Sequence, residues 1–455
     1  MIGRVVIAGT SSGAGKTTVA CGLIGALRAR GRRVQGFKVG PDYIDPTYHA
    51  LASGRPGRNL DAFLSAPDLI APLVRHGAAN ADIAVIEGVM GLFDGASGRG
   101  ELASTGHVAK LVEAPVILVV DAASMARSAA AIVLGYRSFD PDIDVAGVIF
   151  NHVGSDHHEE LLREAVAGIG VPVLGALRRD ERIAVPERHL GLVPADEREA
   201  HTRSALDALA DAVARYTDVE AIERLARAAP DAPGPTWSPE PADGPQANGG
   251  RIAIARGPAF SFHYQENLEL LTAAGAELVG FDPISDPVLP ERTDALVLAG
   301  GFPEVFGAEL EANAPMRAAV AAFAASGRPV LAECGGLLYL CADLDGRAMC
   351  GVLPARGRMA GRLSLGYREA VAATATPWLD AGERVRGHEF HYSVVEPIHE
   401  GAPPAWTLSA RGAERPEGVV AGAIQASYLH VHWAAHPDLA RRFAAAALAA
   451  RPVPA

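Results

Sequence analysis

The stretch GTSSGAGKTT at residues 9–18 stands between a short apolar strand pattern, Val5–Ala8, and a helical pattern, Lys16–Arg30. Glycines in such a loop let backbone amides turn toward a phosphate, and the N-terminus of the helix adds positive potential. The lysine reaches the outer phosphates, and the hydroxyl that follows it is placed to bind Mg²⁺. The sequence therefore predicts an ATP and Mg²⁺ site built from Gly13, Gly15, Lys16, Thr17 and Thr18.

The loop departs at one position from the strict GxxxxGK[ST] pattern, which would place glycine where Thr10 stands. It resembles instead the GTxxxxGKT loop of dethiobiotin synthetase and its relatives, which activate carboxylates by phosphorylation. The related Min and Par ATPases carry an additional lysine early in this loop, where this chain has Ser11. The loop therefore favours a carboxylate-activating enzyme over a partitioning or positioning ATPase.

Short β-branched runs alternate with helical patterns on both sides of a segment rich in proline and glycine. The strands expected before that segment are Val5–Ala8, Val34–Lys38, Ile83–Ile86, Val116–Val120, Val145–Phe150 and Val173–Ala176, and those after it are Ile252–Ala255, Glu277–Phe281, Ala295–Leu298 and Val330–Ala332. This alternation predicts an α/β fold with two domains, each built on a parallel sheet. We assign residues 1–228 to a P-loop domain, 229–250 to a linker and 251–448 to a second domain, more strand-rich near its end.

Charged residues gather just after two of the expected strands, at the sheet edge where ligands bind. They are Lys38, Asp42 and Asp45 at the end of one strand, with Glu87 and Asp94 after another. Carboxylates so near a triphosphate would repel it unless cations lay among them, so Glu87 with Asp42 or Asp45 is a candidate Mg²⁺ ligand set. Lys38 is a candidate for neutralising the transferred phosphoryl group. Solvated acidic loops are the alternative for any single acid.

Two polar features follow the strand Val145–Phe150. Asn151 is a candidate for contacting the adenine edge, and a turn residue that ends the strand is an equally good interpretation. His152, His157 and His158 lack the helical spacing and the cysteine partner of a zinc site, and we interpret them as a solvated loop.

The second domain contains a strand, a cysteine and a helix in the order of a nucleophile elbow, at Val330–Tyr339. Glycines beside Cys334 relieve crowding around a strained residue, and the helix that follows is expected to lower the pKa of the thiol. A glycine pair ends an earlier strand, so the amides of Gly301 and Gly335 are candidates for an oxyanion hole. A buried core cysteine is the alternative for Cys334.

Histidines follow a strand near the chain end, in SYLHVHW at 427–433. The order of glycine pair, cysteine elbow and late histidine resembles class I glutamine amidotransferases, which have a flavodoxin-like fold. In that family the cysteine attacks the side-chain amide of glutamine and the histidine protonates the leaving ammonia. His430 is the predicted base and His432 the alternative. The family's HxE pattern fails because His432 stands where the glutamate belongs, so the third member of the triad is missing or comes from elsewhere.

Composition narrows the class of protein further. The net charge of −12 argues against nucleic-acid binding, since phosphate neutralisation needs a basic surface. The four cysteines show no CxxC spacing and no disulfide framework. We find neither a signal peptide nor an apolar run long enough to cross a membrane, and therefore expect a cytoplasmic protein.

Segments along the whole chain resemble the cobyrinic acid a,c-diamide synthase family. They are FKVGPDYIDPTYH at 37–49, EGVMGLFDG at 87–95, VPERHLGLVP at 185–194, FSFHYQENLELL at 260–271, GGFPEVF at 300–306, ECGGLLYL at 333–340 and GHEFHYS at 387–393, together with the P-loop and the late histidine motif.

The resemblance implies a reaction in cobalamin biosynthesis. ATP would phosphorylate the c and a carboxylates of the corrin ring in turn, in an order that stays open, and ammonia from glutamine would displace the phosphate. It implies that Asp45 and Asp94 take part in catalysis, that Tyr43 contacts the substrate, and that a corrin and glutamine are the partners. The oligomeric state stays open, with a homodimer as our expectation. The alternatives are the same chemistry on another tetrapyrrole, such as hydrogenobyrinic acid or nickel-sirohydrochlorin, or a P-loop switch with an inert cysteine domain.

Overall fold

The structure, a computed structural model, describes residues 2–179, 199–240, 250–397, 402–410 and 412–450. It forms two compact units, the first ending at Trp237 and the second beginning at Ser238. The Trp237 amide donates to Pro72 O at 3.1 Å, and the indole packs edge-on against His76, which ties this tryptophan to the first unit. Residues 241–249 of the expected linker and the whole segment at 185–194 lie outside the described residues.

The first unit is built on a single parallel sheet. Its strands are Gly3–Gly9 (β1), Val34–Val39 (β2), Arg58–Leu60 (β3), Ile83–Glu87 (β4), Val116–Asp121 (β5), Val145–Val153 (β6) and Val173–Arg178 (β7). Its helices are Lys16–Ala29 (α1), Ile44–Ser53 (α2), Ile70–Gly77 (α3), Thr105–Leu111 (α4), Ser128–Phe139 (α5), Asp156–Val166 (α6), Glu199–Tyr216 (α7) and Val219–Ala228 (α8), with short 3₁₀ turns at Pro67–Leu69 and Ala167–Ile169.

The strands lie in the order β3-β2-β4-β1-β5-β6-β7. Strands β1 and β4 are buried along their whole length, as expected of central strands covered on both faces. Because β4 is the neighbour of both β1 and β2, the ends of these three strands bring the P-loop, Lys38 and Glu87 to one edge of the sheet. The predicted strands are confirmed to within three residues at each end, whereas the strand β3 was not predicted.

The second unit contains two sheets. Its strands are Arg251–Ala255 (β8), Glu277–Phe281 (β9), Ala295–Leu298 (β10), Val330–Glu333 (β11), Asp343–Leu344 (β12), Arg347–Ala348 (β13), Arg356–Ala372 (β14), Arg384–Glu396 (β15), Trp406–Ala410 (β16), Ala413–Glu417 (β17), Val419–Ala421 (β18), Ile424–Ser427 (β19) and His430–Val431 (β20). Its helices are Gln265–Ala273 (α9), Gly307–Ala312 (α10), Ala314–Ala325 (α11), Gly335–Leu340 (α12) and Pro437–Ala449 (α13), with a 3₁₀ turn at Trp433–Ala435.

The first of these sheets has the order β18-β19-β11-β10-β8-β9, parallel except for the antiparallel edge pair β18 and β19. The α/β prediction for both units is confirmed. The second sheet is mostly antiparallel and centres on the long strands β14 and β15, with a register shift between Met359 and Ser364. The sequence indicated extra strands here without their pairing, because β14 is rich in arginine and glycine, and cross-strand contacts rather than intrinsic propensity hold it extended.

A span of apolar helix long enough to cross a membrane does not occur in the described residues.

Candidate active sites

The P-loop connects β1 to α1 in a conformation that depends on two glycines. Gly13 and Gly15 have φ of 79° and 99°, which side chains rarely adopt. A Cβ at Gly15 would lie 2.0 Å from Nδ2 of Asn151. That amide nitrogen donates to Ala14 O at 3.1 Å. Asn151, a candidate for adenine contact, therefore lies against the back of the P-loop and supports its backbone.

Lys16 links the P-loop to the turn that follows β4. Its Nζ donates to Ser11 O at 2.9 Å and to Met90 O at 2.6 Å. The ammonium is therefore held at the mouth of the loop, with Ser11 itself exposed. Thr18 is half-buried in the first turn of α1. The P-loop residues selected from the sequence thus share one end of the sheet.

A buried ionic network lies directly behind this loop, centred on Glu87. One carboxylate oxygen, Oε1, accepts hydrogen bonds from Thr17 Oγ1 at 2.6 Å and from Lys38 Nζ at 2.8 Å. The other oxygen lies 2.7 Å from His49 Nε2. Lys38 Nζ also lies 2.6 Å from Asp45 Oδ2. Glu87, Lys38 and His49 are each at most 1% exposed. Their contacts with one another and with neighbouring protein groups, rather than with water, therefore offset the cost of burying their charges.

The charges in this network set its protonation. Burial opposes ionisation of Glu87, but Lys38 and His49 together lower its pKa. Burial and the nearby Glu87 raise the pKa of Asp45 to about 8. Lys38 is thus a cation that lies between the two acids. His49 was missed as a site residue, although its spacing of four residues from Asp45 on a helix places both on one face.

The other acids selected from the sequence bind backbone amides. Asp42 Oδ1 accepts from the Ile44 amide at 2.8 Å, at the start of α2, and Asp94 Oδ2 accepts from the Gly91 amide at 2.9 Å. Asp94 is exposed and Tyr43 is buried. Asn59 Nδ2 donates to Asp42 O at 2.7 Å and fixes the turn that carries Asp42 and Tyr43. These residues therefore frame the same strand edge from two loops.

The donor atoms at this edge suit magnesium. A hydroxyl and a carboxylate oxygen, from Thr17 and Glu87, meet at 2.6 Å beside the P-loop. Mg²⁺ prefers oxygen ligands, and it typically takes one or two from the protein and the rest from phosphates and water. This pair fits that pattern, whereas Asp42 is engaged with the backbone of α2. Within the part of the chain that the structure describes, His152, His157 and His158 do not form a cluster that could hold a metal ion.

Cys334 lies at the sharp turn between β11 and α12. Its backbone has φ 49° and ψ −98°, a strained conformation for a residue with a side chain. A Cβ at Gly336 would lie 2.1 Å from Leu298 O, so only glycine allows the new helix to pack so closely on β10. A Cβ at Gly335 would lie 3.0 Å from the backbone nitrogen of Gly301. The backbone of Gly301 therefore lies close to that of Gly335, beside the cysteine.

The expected lowering of the thiol pKa is wrong for this structure. Cys334 is 5% exposed, and burial raises the pKa of its thiol well above the ordinary value, as does the nearby Glu304. The Gly335 amide opposes this effect without overcoming it. Burial also raises the pKa of Glu304 to about 7. Formation of the thiolate therefore requires a proton acceptor at the site, and the helix is not sufficient.

The two late histidines face different surroundings. A Cβ at Gly300 would lie 2.5 Å from Cε1 of His430, which places this imidazole against the glycine pair. His430 Nδ1 lies 3.6 Å from Glu333 Oε2, one residue before the cysteine. His432 instead packs on the ring of Tyr264 and lies 3.5 Å from Glu266. The geometry therefore brings His430, and not His432, to the cysteine turn.

A second buried polar group surrounds Glu389, which the sequence did not single out. Its carboxylate contacts Arg368 and Arg415, each at 2.5 Å, and His391 at 3.7 Å. Although burial opposes ionisation, His391 and the two arginines lower the pKa of Glu389 to about 2. The motif GHEFHYS, which the sequence left without a role, supplies Glu389 and His391. The neighbouring Phe390 O lies 3.9 Å from Cys334 Sγ, so this motif lines the cysteine site.

Comparisons with known proteins agree with a nucleotide site in the first unit and a cysteine site in the second. Residues 5–193 match the family described as the CobQ/CobB/MinD/ParA nucleotide binding domain, and residues 251–438 match the CobB/CobQ-like glutamine amidotransferase domain. A hydrogenobyrinate a,c-diamide synthase from Streptomyces coelicolor is 55% identical, over 97% of this chain and 96% of its own. One from Thermobifida fusca is 50% identical over 99% and 98%, and a cobyrinate a,c-diamide synthase from Syntrophotalea carbinolica is 48% identical over 97% of each chain.

A nucleotide-binding domain followed by a glutamine amidotransferase domain defines a ligase that forms C–N bonds with glutamine as the nitrogen donor. These relatives are 48–55% identical over nearly the whole of this chain, so the comparison identifies the family as well as the class of enzyme. The chain belongs to the hydrogenobyrinate and cobyrinate a,c-diamide synthase family.

Proposed function

We propose that this chain amidates the a and c carboxylates of hydrogenobyrinic or cobyrinic acid, using ATP and glutamine. The observation that carries the proposal is that one chain contains both sites. The first is a P-loop whose Thr17 is hydrogen-bonded to Glu87, and the second is a strained Cys334 beside a glycine pair and His430. The substrate rests on the names of relatives. Two that are named for hydrogenobyrinate are 55% and 50% identical to this chain, and two that are named for cobyrinate are 48% and 43% identical.

The glutaminase half-reaction is assigned to residues 251–448. His430 accepts the thiol proton, and the Cys334 sulfur attacks the carboxamide carbon of glutamine. The amides of Gly301 and Gly335 stabilise the oxyanion that forms on the carboxamide oxygen. His430 then gives its proton to the leaving nitrogen, so that ammonia departs and a thioester remains. Water hydrolyses the thioester to glutamate and restores the thiol.

The synthetase half-reaction is assigned to residues 1–228. The P-loop amides and Lys16 hold the phosphates, and a substrate carboxylate attacks the γ-phosphorus with ADP leaving. Ammonia adds to the acyl phosphate carbon, and inorganic phosphate leaves to give the amide. Thr17 and Glu87 would hold Mg²⁺, which neutralises charge on the phosphates. Tyr43 is proposed to contact the corrin substrate, and Asp45 and Asp94 are proposed to take part in catalysis. Lys38 acts through its ion pairs with Asp45 and Glu87.

The test is a mass measurement of the products. The full chain is incubated with ATP, Mg²⁺, glutamine and either hydrogenobyrinic or cobyrinic acid, and the amides added per macrocycle are counted. Two amides at the a and c positions support the proposal, and the ratio of kcat/KM for the two substrates decides between metal-free and cobalt-containing rings. An unchanged mass for both, with nickel-sirohydrochlorin converted, would favour the alternative tetrapyrrole.

A P-loop switch with an inert cysteine domain predicts a different result in the same assay. It would hydrolyse ATP but release no glutamate from glutamine. The homodimer stays a prediction, which sedimentation of the full chain tests.

A further inference from the structure

We propose that Glu333 is the carboxylate that orients His430 and stabilises its protonated form, replacing the acid missing two residues after that histidine. The proposal rests on the glutaminase chemistry proposed above. It concerns how one residue acts through another, so Glu333 is a positioning residue.

The first observation is the contact itself. Glu333 Oε2 lies 3.6 Å from His430 Nδ1, in a site where the histidine side chain is 1% exposed and that of the glutamate 14%. A carboxylate beside Nδ1 leaves the opposite ring nitrogen, Nε2, for proton exchange with a nucleophile. This is the division of roles in catalytic triads, where the acid fixes the ring and stabilises the imidazolium.

The second observation is topological. Glu333 ends β11, where it pairs in register with Ser427 of β19, and His430 begins β20 only three residues later in the chain. Strand β11 therefore positions both the acid Glu333 and the nucleophile Cys334, since the two residues are adjacent at its end. A carboxylate at position 432 is not needed, because His432 faces Glu266 and Tyr264 instead.

The third observation is that the ring is enclosed on its other sides. A Cβ at Gly300 would lie 2.5 Å from Cε1 of His430. His388, on β15, pairs in register with His430, with their ring centroids 5.0 Å apart. Burial and the proximity of His430 lower the pKa of His388, so this neighbour stays uncharged near neutral pH. Glu333 is therefore the carboxylate that faces the His430 ring. It also lies near the thiol of Cys334, together with Glu304 and Glu417.

The consequence is a proton relay of fixed direction. The proton leaves Cys334 Sγ for His430 as the sulfur attacks, and it leaves His430 for the departing nitrogen as ammonia forms. Glu333 gains no proton in either step. It holds the ring and favours the imidazolium that exists between the two transfers.

The experiment compares Glu333→Gln and Glu333→Asp with the full wild-type chain. The readouts are glutaminase kcat against pH, the rate of Cys334 alkylation by iodoacetamide against pH, and amidation driven by ammonium chloride. We expect Glu333→Gln to lower the glutaminase kcat about 100-fold or more. We also expect the acid limb of the profile to move to lower pH, because the imidazolium loses its counter-charge and the neutral, proton-accepting form of His430 persists to lower pH. Glu333→Asp should restore part of the rate, and ammonium-driven amidation should stay within about twofold.

Glu266→Gln is the matched control, since it removes the carboxylate beside the other histidine. It should leave both the glutaminase rate and the pH profile as in wild type. A Glu333→Gln enzyme with an unmoved acid limb and a rate within about threefold of wild type would overturn the proposal. So would an equal loss in the ammonium-driven reaction, which reports general damage. Loss of glutaminase activity by the wild-type chain itself would instead overturn the proposed function.

Discussion

Thr17 Oγ1 donates to Glu87 Oε1 at 2.6 Å and thereby joins the first turn of α1 to the end of β4. The two residues are 70 positions apart in the chain, yet both stand at the edge where β1 and β4 end side by side. Glu87 shares the same oxygen with Lys38, so the carboxylate is already oriented before any metal ion or phosphate arrives. Such preorganisation is what a phosphoryl-transfer site requires of its protein groups.

Thr17→Val should lower ammonium-driven amidation on the order of 100-fold, because it removes one oxygen donor from the magnesium pair. The measurement is the rate of ADP release at saturating corrinoid over a series of Mg²⁺ concentrations. Thr17→Ser keeps the hydroxyl and is the matched control, expected within about fivefold of wild type. A Thr17→Val enzyme with wild-type Mg²⁺ dependence would exclude this hydroxyl as a ligand.

Gly15→Ala should abolish ATP binding while the fold of the second unit persists. The added Cβ would lie 2.0 Å from Asn151 Nδ2 at a φ of 99°, so the loop must move away from its phosphate-binding shape. Titration with a fluorescent ATP analogue measures this loss. Gly135→Ala is the control, since a Cβ there meets nothing within 4 Å and its helix accepts alanine. Tight nucleotide binding by Gly15→Ala would show that the loop conformation is not required.

Cys334→Ala should remove glutamine-dependent amidation and leave the ammonium-driven rate within about twofold. The reason is that only the thiol can form the thioester, whereas added ammonia bypasses that step. Glutamate release and amide formation are measured in parallel with each nitrogen source. Cys341→Ala is the comparison, because that buried cysteine lies in the core of the same unit and should retain glutamine use. Wild-type glutamine use by Cys334→Ala would refute the assignment.

Glu389→Gln should flatten the acid limb of the stability profile. The pKa of Glu389 falls from an ordinary value of 4.5 to about 2 in the folded chain. Its ion pairs therefore contribute fully above about pH 4.5, and that contribution is lost as the pH falls toward 2. The difference corresponds to roughly 3 kcal/mol in the free energy of unfolding. Urea unfolding at a series of pH values between 6 and 2 compares wild type with the variant, and parallel curves would contradict the prediction.

The sequence by itself determined the two α/β units, the P-loop and the cysteine elbow. These features are local, because a strand, a glycine turn and a helix within about fifteen residues fix their own geometry. The same locality explains why Cys334 and Lys16 were found without any knowledge of the packing around them.

Only the tertiary structure decided which groups surround the charged and reactive side chains of the two sites. Lys38 proved to be the cation between Asp45 and Glu87, and burial reversed the expected direction of the Cys334 pKa. The network of Glu389 also depends on strands β14, β15 and β17, whose pairing the sequence left open. Electrostatic energies depend on distance and burial, and both are set by chain segments far apart in sequence.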